Sequence, residues 1–131
     1  MLVITAESVR MAVILIVEDD VFIRDDAEAM IQDWGHDTLP ASDVDEALSR
    51  LRSSQLIDAL FTDIYLKTAV LGGCELAQQA IKLRPKMRVL YTTGNSVTDK
   101  MKALFVEDTQ CLRKPYTQTQ LQDCFAALLA A

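Results

Sequence analysis

The sequence predicts an α/β domain: a five-stranded parallel sheet wound on both faces by five helices. Two observations carry this. Short apolar runs alternate with segments of helical period along the whole chain, and polar, chemically capable residues gather where the apolar runs end.

The elements follow in order. Residues 12–17, AVILIV, are a continuous apolar run stopped by Glu18, Asp19 and Asp20, as in a strand covered on both faces. Ile23, Ala27, Met30, Ile31 and Trp34 then recur at helical spacing, with Asp20 as N-cap and Gly35 as the stop. A weak strand is expected at 37–39. A second helix carries Val44, Ala47, Leu48 and Leu51 behind a cap at Ser42 or Asp43. The third strand, 57–62, ends at Asp63. A loop with Gly72 and Gly73 leads into a helix bearing Leu76, Ala77, Ala80 and Ile81, closed by Pro85. The fourth strand, 87–92, stops at Gly94. Val97, Met101, Leu104 and Phe105 mark a fourth helix, and 110–113 a short fifth strand before Lys114-Pro115. Thr117 caps a last helix with Leu121, Cys124, Phe125, Leu128 and Leu129 on one face. At this length the natural strand order is the flavodoxin-like, doubly wound 2-1-3-4-5.

Bulk properties narrow the function. The 131 residues fit one domain, 11–131, behind an extension at 1–10. A net charge of −6 and a pI near 4.6 argue against a nucleic-acid surface. Cys74, Cys111 and Cys124 form no C-x-x-C pair, which fits reduced thiols in the cytoplasm. No apolar run is long enough to span a membrane, and 1–10 lacks the apolar core of a signal peptide. A cytoplasmic protein is expected. His36 reads as a surface residue, Trp34, Phe22 and Phe125 as packing, and the cysteines as small buried apolar groups.

In open α/β sheets, ligands collect beyond the carboxyl ends of the strands. The expected strand ends deliver Glu18 and Asp19, then Asp63, then Thr92 and Thr93, then Lys114 to that edge. Crowded carboxylates repel, by about 1 kcal/mol per pair at roughly 4 Å even in water. A hard divalent ion relieves the conflict, and Mg²⁺ favours a few carboxylates together with water and phosphate oxygens. A carboxylate is also a nucleophile that can form an acyl phosphate, with Lys114 and Thr93 placed to stabilise the phosphoryl oxygens. Strand alternation turns Thr92 away from that centre.

ILIVEDD-x-x-x-R at 14–24, FTD at 61–63, YTTG at 91–94 and RKP at 113–115 resemble the response-regulator receiver family, over roughly residues 12–129. The resemblance implies that Asp63 accepts a phosphoryl group and that Asp19 binds Mg²⁺ directly. It implies Glu18 as a ligand through water, the Tyr65 carbonyl as a further ligand, Thr93 as the switch hydroxyl and Lys114 as the phosphate-binding lysine. It further implies a sensor histidine kinase or histidine phosphotransfer protein as donor. A downstream protein partner would meet the face of helix 4, strand 5 and helix 5. Such a protein is not an enzyme in the usual sense, since it catalyses only its own phosphorylation and dephosphorylation. Two departures stand out. Cys111 occupies the place of the family's usual aromatic, and the loop IYLKTAVLGG after Asp63 is about two residues longer than the common form and lacks its Met-Pro pair.

Other readings fare less well. A haloacid-dehalogenase-like phosphatase needs an acid two residues after its nucleophile, where this chain has Tyr65. No phosphate-cradling loop for a flavin or nucleotide follows the first strand. A receiver-like binding module that works without phosphorylation is the remaining alternative.

Overall fold

The computed structural model describes residues 11–67, 69–106 and 109–130; the extension expected at 1–10 lies outside them. Strands β1 (Val13–Val17), β2 (Asp37–Ala41), β3 (Ala59–Asp63), β4 (Arg88–Thr93) and β5 (Gln110–Arg113) form one parallel sheet in the order β2-β1-β3-β4-β5. The helices are α1 (Val21–Asp33), α2 (Val44–Arg52), α3 (Gly72–Leu83), α4 (Asp99–Lys102) and α5 (Gln118–Ala130). The flavodoxin-like architecture and order are those the alternation predicts.

Strand pleating splits the core in two. Leu15, Val17, Leu60, Val89 and Tyr91 face α2, α3 and α4, where they meet Leu48, Leu51, Leu76, Ala77, Ala80 and Met101. Ile14, Ile16, Ala59, Phe61 and Leu90 face the other way, against Ala27 and Ile31 of α1 and Leu121 and Phe125 of α5. β1, covered on both faces, is therefore apolar at every position, which is why it reads as an unbroken run. The caps also form as the residue types dictate. Asp20 accepts the N–H groups of Phe22 and Ile23, and Asp43 that of Glu46. Thr117 accepts that of Gln120, and Gly35 leaves α1 at a φ of 94°.

Three expectations need correction. The fourth helix is four residues long, capped by Thr98, so Val97 and Phe105 lie outside it while still packing on the core. One turn has no intrinsic stability, and the aromatic stack of Phe105 on Tyr91 (centroids 4.3 Å apart) fixes this segment instead. His36 is half-buried, and its Nδ1 accepts the Ala12 N–H (3.0 Å), satisfying a donor at the start of the sheet. Phe22 is 79% exposed beside the N-cap of α1 and packs into neither core cluster.

Candidate functional site

Three of the five strands bring charged groups to the carboxyl edge of the sheet. β1 ends at Val17, so Glu18 and Asp19 follow directly beyond it, and α1 begins only after the Asp20 cap. β3 ends in Asp63 itself, in register with Thr92 of β4. Lys114 follows β5, and its backbone N–H donates to the Thr93 carbonyl (2.9 Å), extending the ladder by one bond. The sheet thus delivers residues 18, 19, 63 and 114 from three strands to one place.

There the Lys114 Nζ donates to Asp63 Oδ2 (3.0 Å) and to Glu18 Oε1. Carboxylate oxygens of Glu18, Asp19 and Asp63 lie within 4.8 Å of one another. Glu18 and Asp63 are 4% and 6% exposed. Burial pushes both carboxyl groups above their ordinary range against the pull of the Lys114 ammonium. The Asp19 charge raises Asp63 further, while the Tyr65 backbone N–H lowers it. Burial pulls Lys114 down, yet its bonds to the two acids outweigh this and leave it raised. The pocket therefore holds three acids against one cation, with a charge surplus that a divalent ion or a protonation would relieve.

The polypeptide around these groups is also fixed. Arg24 donates to the Glu18 carbonyl (2.8 Å), and the Lys67 backbone N–H to Asp19 Oδ2 (2.7 Å). Gly73 donates its N–H to the Ile64 carbonyl (3.0 Å), and a Cβ there would stand 2.0 Å from the Asp63 carbonyl oxygen. Only glycine lets α3 start this close to the end of β3. Neither the Lys67 amide nor the role of Gly73 was anticipated. The glycine pair opening a helix was the available signal for Gly73, and a backbone amide leaves none.

Thr93 is fully buried, and its Oγ1 accepts the Asn95 N–H (3.1 Å), so its hydroxyl is engaged with its own loop. Thr92 lies on the opposite side of β4, and its buried hydroxyl has no hydrogen-bond partner among the described residues. For Tyr65, the described contacts are the amide toward Asp63 and the hydroxyl on the Met101 Sδ (3.8 Å). Cys111 is half-buried, and burial pushes its thiol up to about 11, which keeps it protonated and unreactive near neutral pH.

The donor set suits a hard cation. Three carboxylates converge, with no thiolate or imidazole among the clustered residues. An acidic pocket and a lysine thus sit at the carboxyl edge of a 2-1-3-4-5 sheet, where open α/β folds bind their ligands. The comparisons agree: the model of the response regulator receiver domain matches residues 14–126, and the chain belongs to that family. A response regulator receiver protein from Sinorhizobium medicae is 28% identical, with a TM-score of 0.85 over 94% of this chain and 98% of that one. NtrX from Brucella abortus is 27% identical, with a TM-score of 0.81 over 92% of this chain but 27% of that longer one. A CheY-like receiver domain protein from Methanospirillum hungatei shares the fold at 24% identity, with a TM-score of 0.81 over 92% of this chain and 95% of that one. Receiver domains bind Mg²⁺ at an acidic pocket and work with kinases or phosphotransfer proteins in two-component systems, and this chain carries such a pocket. No described helix is long and apolar enough to cross a membrane.

Proposed function

We propose that this receiver accepts a phosphoryl group on Asp63 from a histidine kinase or histidine phosphotransfer protein, in the cytoplasm, and signals through a protein partner. The observation that carries the reading is the Asp63 carboxylate, bonded to Lys114 and ringed by Glu18 and Asp19 within 4.8 Å. Asp19, Glu18 and Asp63, with the Tyr65 carbonyl, would hold Mg²⁺. The ion supplies charge neutralisation for the carboxylates and for the transferring phosphoryl oxygens.

The chain's own residues do the rest. Asp63 attacks phosphorus as a carboxylate, forming an O–P bond as the donor's P–N bond breaks and its imidazole leaves. Lys114, with two of its three N–H donors on Glu18 and Asp63, turns the third to a phosphoryl oxygen. Thr93, whose Oγ1 accepts the Asn95 N–H, donates its own O–H to a phosphoryl oxygen. Both contacts pull on the ends of β4 and β5. Residues 94–105 then rearrange, changing the face of α4, β5 and α5 that the partner reads.

Incubation with acetyl phosphate and Mg²⁺, read by mass spectrometry, is the test. One phosphoryl group is expected, absent from Asp63→Asn, with amide exchange changing at 94–105 as well as around Asp63. Undiminished labelling of Asp63→Asn would remove Asp63 as the acceptor. An unlabelled wild-type chain would favour the binding module that works without phosphorylation.

A further inference from the structure

The loop between β3 and α3 closes on itself and then reaches across the pocket. Ala69 donates its N–H to the Leu66 carbonyl (3.0 Å), and Leu66 returns one to Ala69 (3.4 Å), making an isolated two-residue bridge. Gly72 donates to the Ala69 carbonyl (2.9 Å), and a Cβ on Gly72 would stand 2.8 Å from that of Ala69, so the turn is pressed against the start of α3. Leu66 is 4% exposed and anchors the turn in the core. Lys67 sits next to this anchor with an exposed side chain, while its backbone N–H bonds Asp19 Oδ2 at 2.7 Å, across 48 residues of sequence.

We infer that the Lys67 amide is a positioning group for the metal site, holding the Asp19 carboxylate in one orientation beside Glu18 and Asp63, where it would meet a divalent cation. The inference rests on the reading of Asp19 as a metal ligand. A carboxylate on a free side chain samples rotamers, and a cation must first select one. A carboxylate held by an amide from a closed turn is already ordered, and the donor polarises the oxygen without competing as a positive ion would. The exposed lysine side chain contributes nothing to this, because the bond comes from the backbone. Cation affinity thus becomes tied to the closure of the loop after Asp63.

The test uses the full chain and Mg²⁺ alone. Calorimetric titration compares the wild type with Lys67→Ala, which keeps the N–H, and Lys67→Pro, which removes it. Lost partners of ligating groups typically weaken binding about 10- to 100-fold, so Lys67→Pro should bind about 10-fold more weakly and Lys67→Ala like the wild type. Should the proline ring distort the turn, a backbone ester at position 67 removes the same proton without it and decides the matter. A second readout needs no metal: the Lys67 amide should be protected from exchange in the wild type and lose protection in Asp19→Ala. Equal Mg²⁺ affinity in wild type and ester variant, or an unprotected Lys67 amide, overturns the inference while leaving the metal site standing. A wild-type chain that binds no Mg²⁺ defeats the metal site, and this inference with it.

Discussion

Gly73 shows how far one residue's chemistry is set by what it lacks. Asp63 is useful because its carboxylate sits at the end of a central strand, and the polypeptide that follows must turn at once into the loop and α3. The Gly73 N–H holds the Ile64 carbonyl, and the absent side chain leaves room for the Asp63 carbonyl. Gly73→Ala would drive a methyl to 2.0 Å from that oxygen, which is backbone and cannot swing aside. We expect a loss of about 3 kcal/mol, the upper part of the usual overpacking range, measured by urea unfolding. Because the displaced atom belongs to Asp63, Mg²⁺ affinity should fall in the same variant. Loss of stability with unchanged affinity would mean that the strain relaxes into α3 instead of β3. Gly35→Ala is the useful contrast, since its cost comes from a φ of 94° in open space and should leave Mg²⁺ affinity alone.

The segment from β4 through α4 to β5 is held by tertiary contacts more than by its own helix. Tyr91 is fully buried, stacks on Phe105 and accepts the Val106 N–H with its hydroxyl (3.1 Å). It lies two residues before Thr93, hence on the same side of β4, and pairs across the sheet with Cys111, where the family's aromatic is missing. Tyr91→Phe keeps the stack and deletes the acceptor of a half-buried amide. It should cost about 1 kcal/mol and raise amide exchange at Val106. A variant as stable and as protected as the wild type would show the hydroxyl to be idle. This segment also marks where sequence stops being legible. Central strands announce themselves, because burial on both faces leaves β1 apolar throughout and β3 apolar from Ala59 to Phe61. Caps such as Asp20 and Thr117 announce themselves through the chemistry of their side chains. In α4 the apolar spacing of Val97, Met101 and Phe105 reflects a shared core, which an irregular segment satisfies as well as a helix does. The same limit holds at the site. Glu18, Asp19, Asp63 and Lys114 are readable as polar residues at strand ends, whereas the Lys67 amide and the outward-facing ring of Phe22 depend on how loops and helices settle.

At the scale of the whole molecule, the acidic pocket is a store of unfavourable charge that burial maintains. Glu18 and Asp63 have pKa values raised from ordinary values of 4.5 and 3.8, chiefly by desolvation. The sign follows from proton counting. Below the ordinary values both folded and unfolded chains are protonated at these groups, and they cost nothing. As pH rises past those values the unfolded chain ionises first, so stability falls until the folded groups ionise too, and the cost then stays constant. Lys114, raised from 10.5, contributes its stabilisation throughout this window and loses it only at higher pH. In EDTA, then, Asp63→Asn should gain stability relative to wild type as pH climbs through the acid range to 7, since the amide imitates the protonated acid. Divalent metal should act in the opposite place. At ten times its dissociation constant, Mg²⁺ should add about 1.4 kcal/mol near pH 7, roughly 5 °C in Tm, and progressively less as acid protonates its ligands. Thermal unfolding of both proteins across pH, with and without Mg²⁺, measures all of this at once. A wild-type Tm indifferent to millimolar Mg²⁺ at pH 7, or an Asp63→Asn difference that does not vary with pH, would mean that Lys114 already balances the pocket. The carboxylates would then have no charge conflict for a cation or a phosphoryl group to resolve.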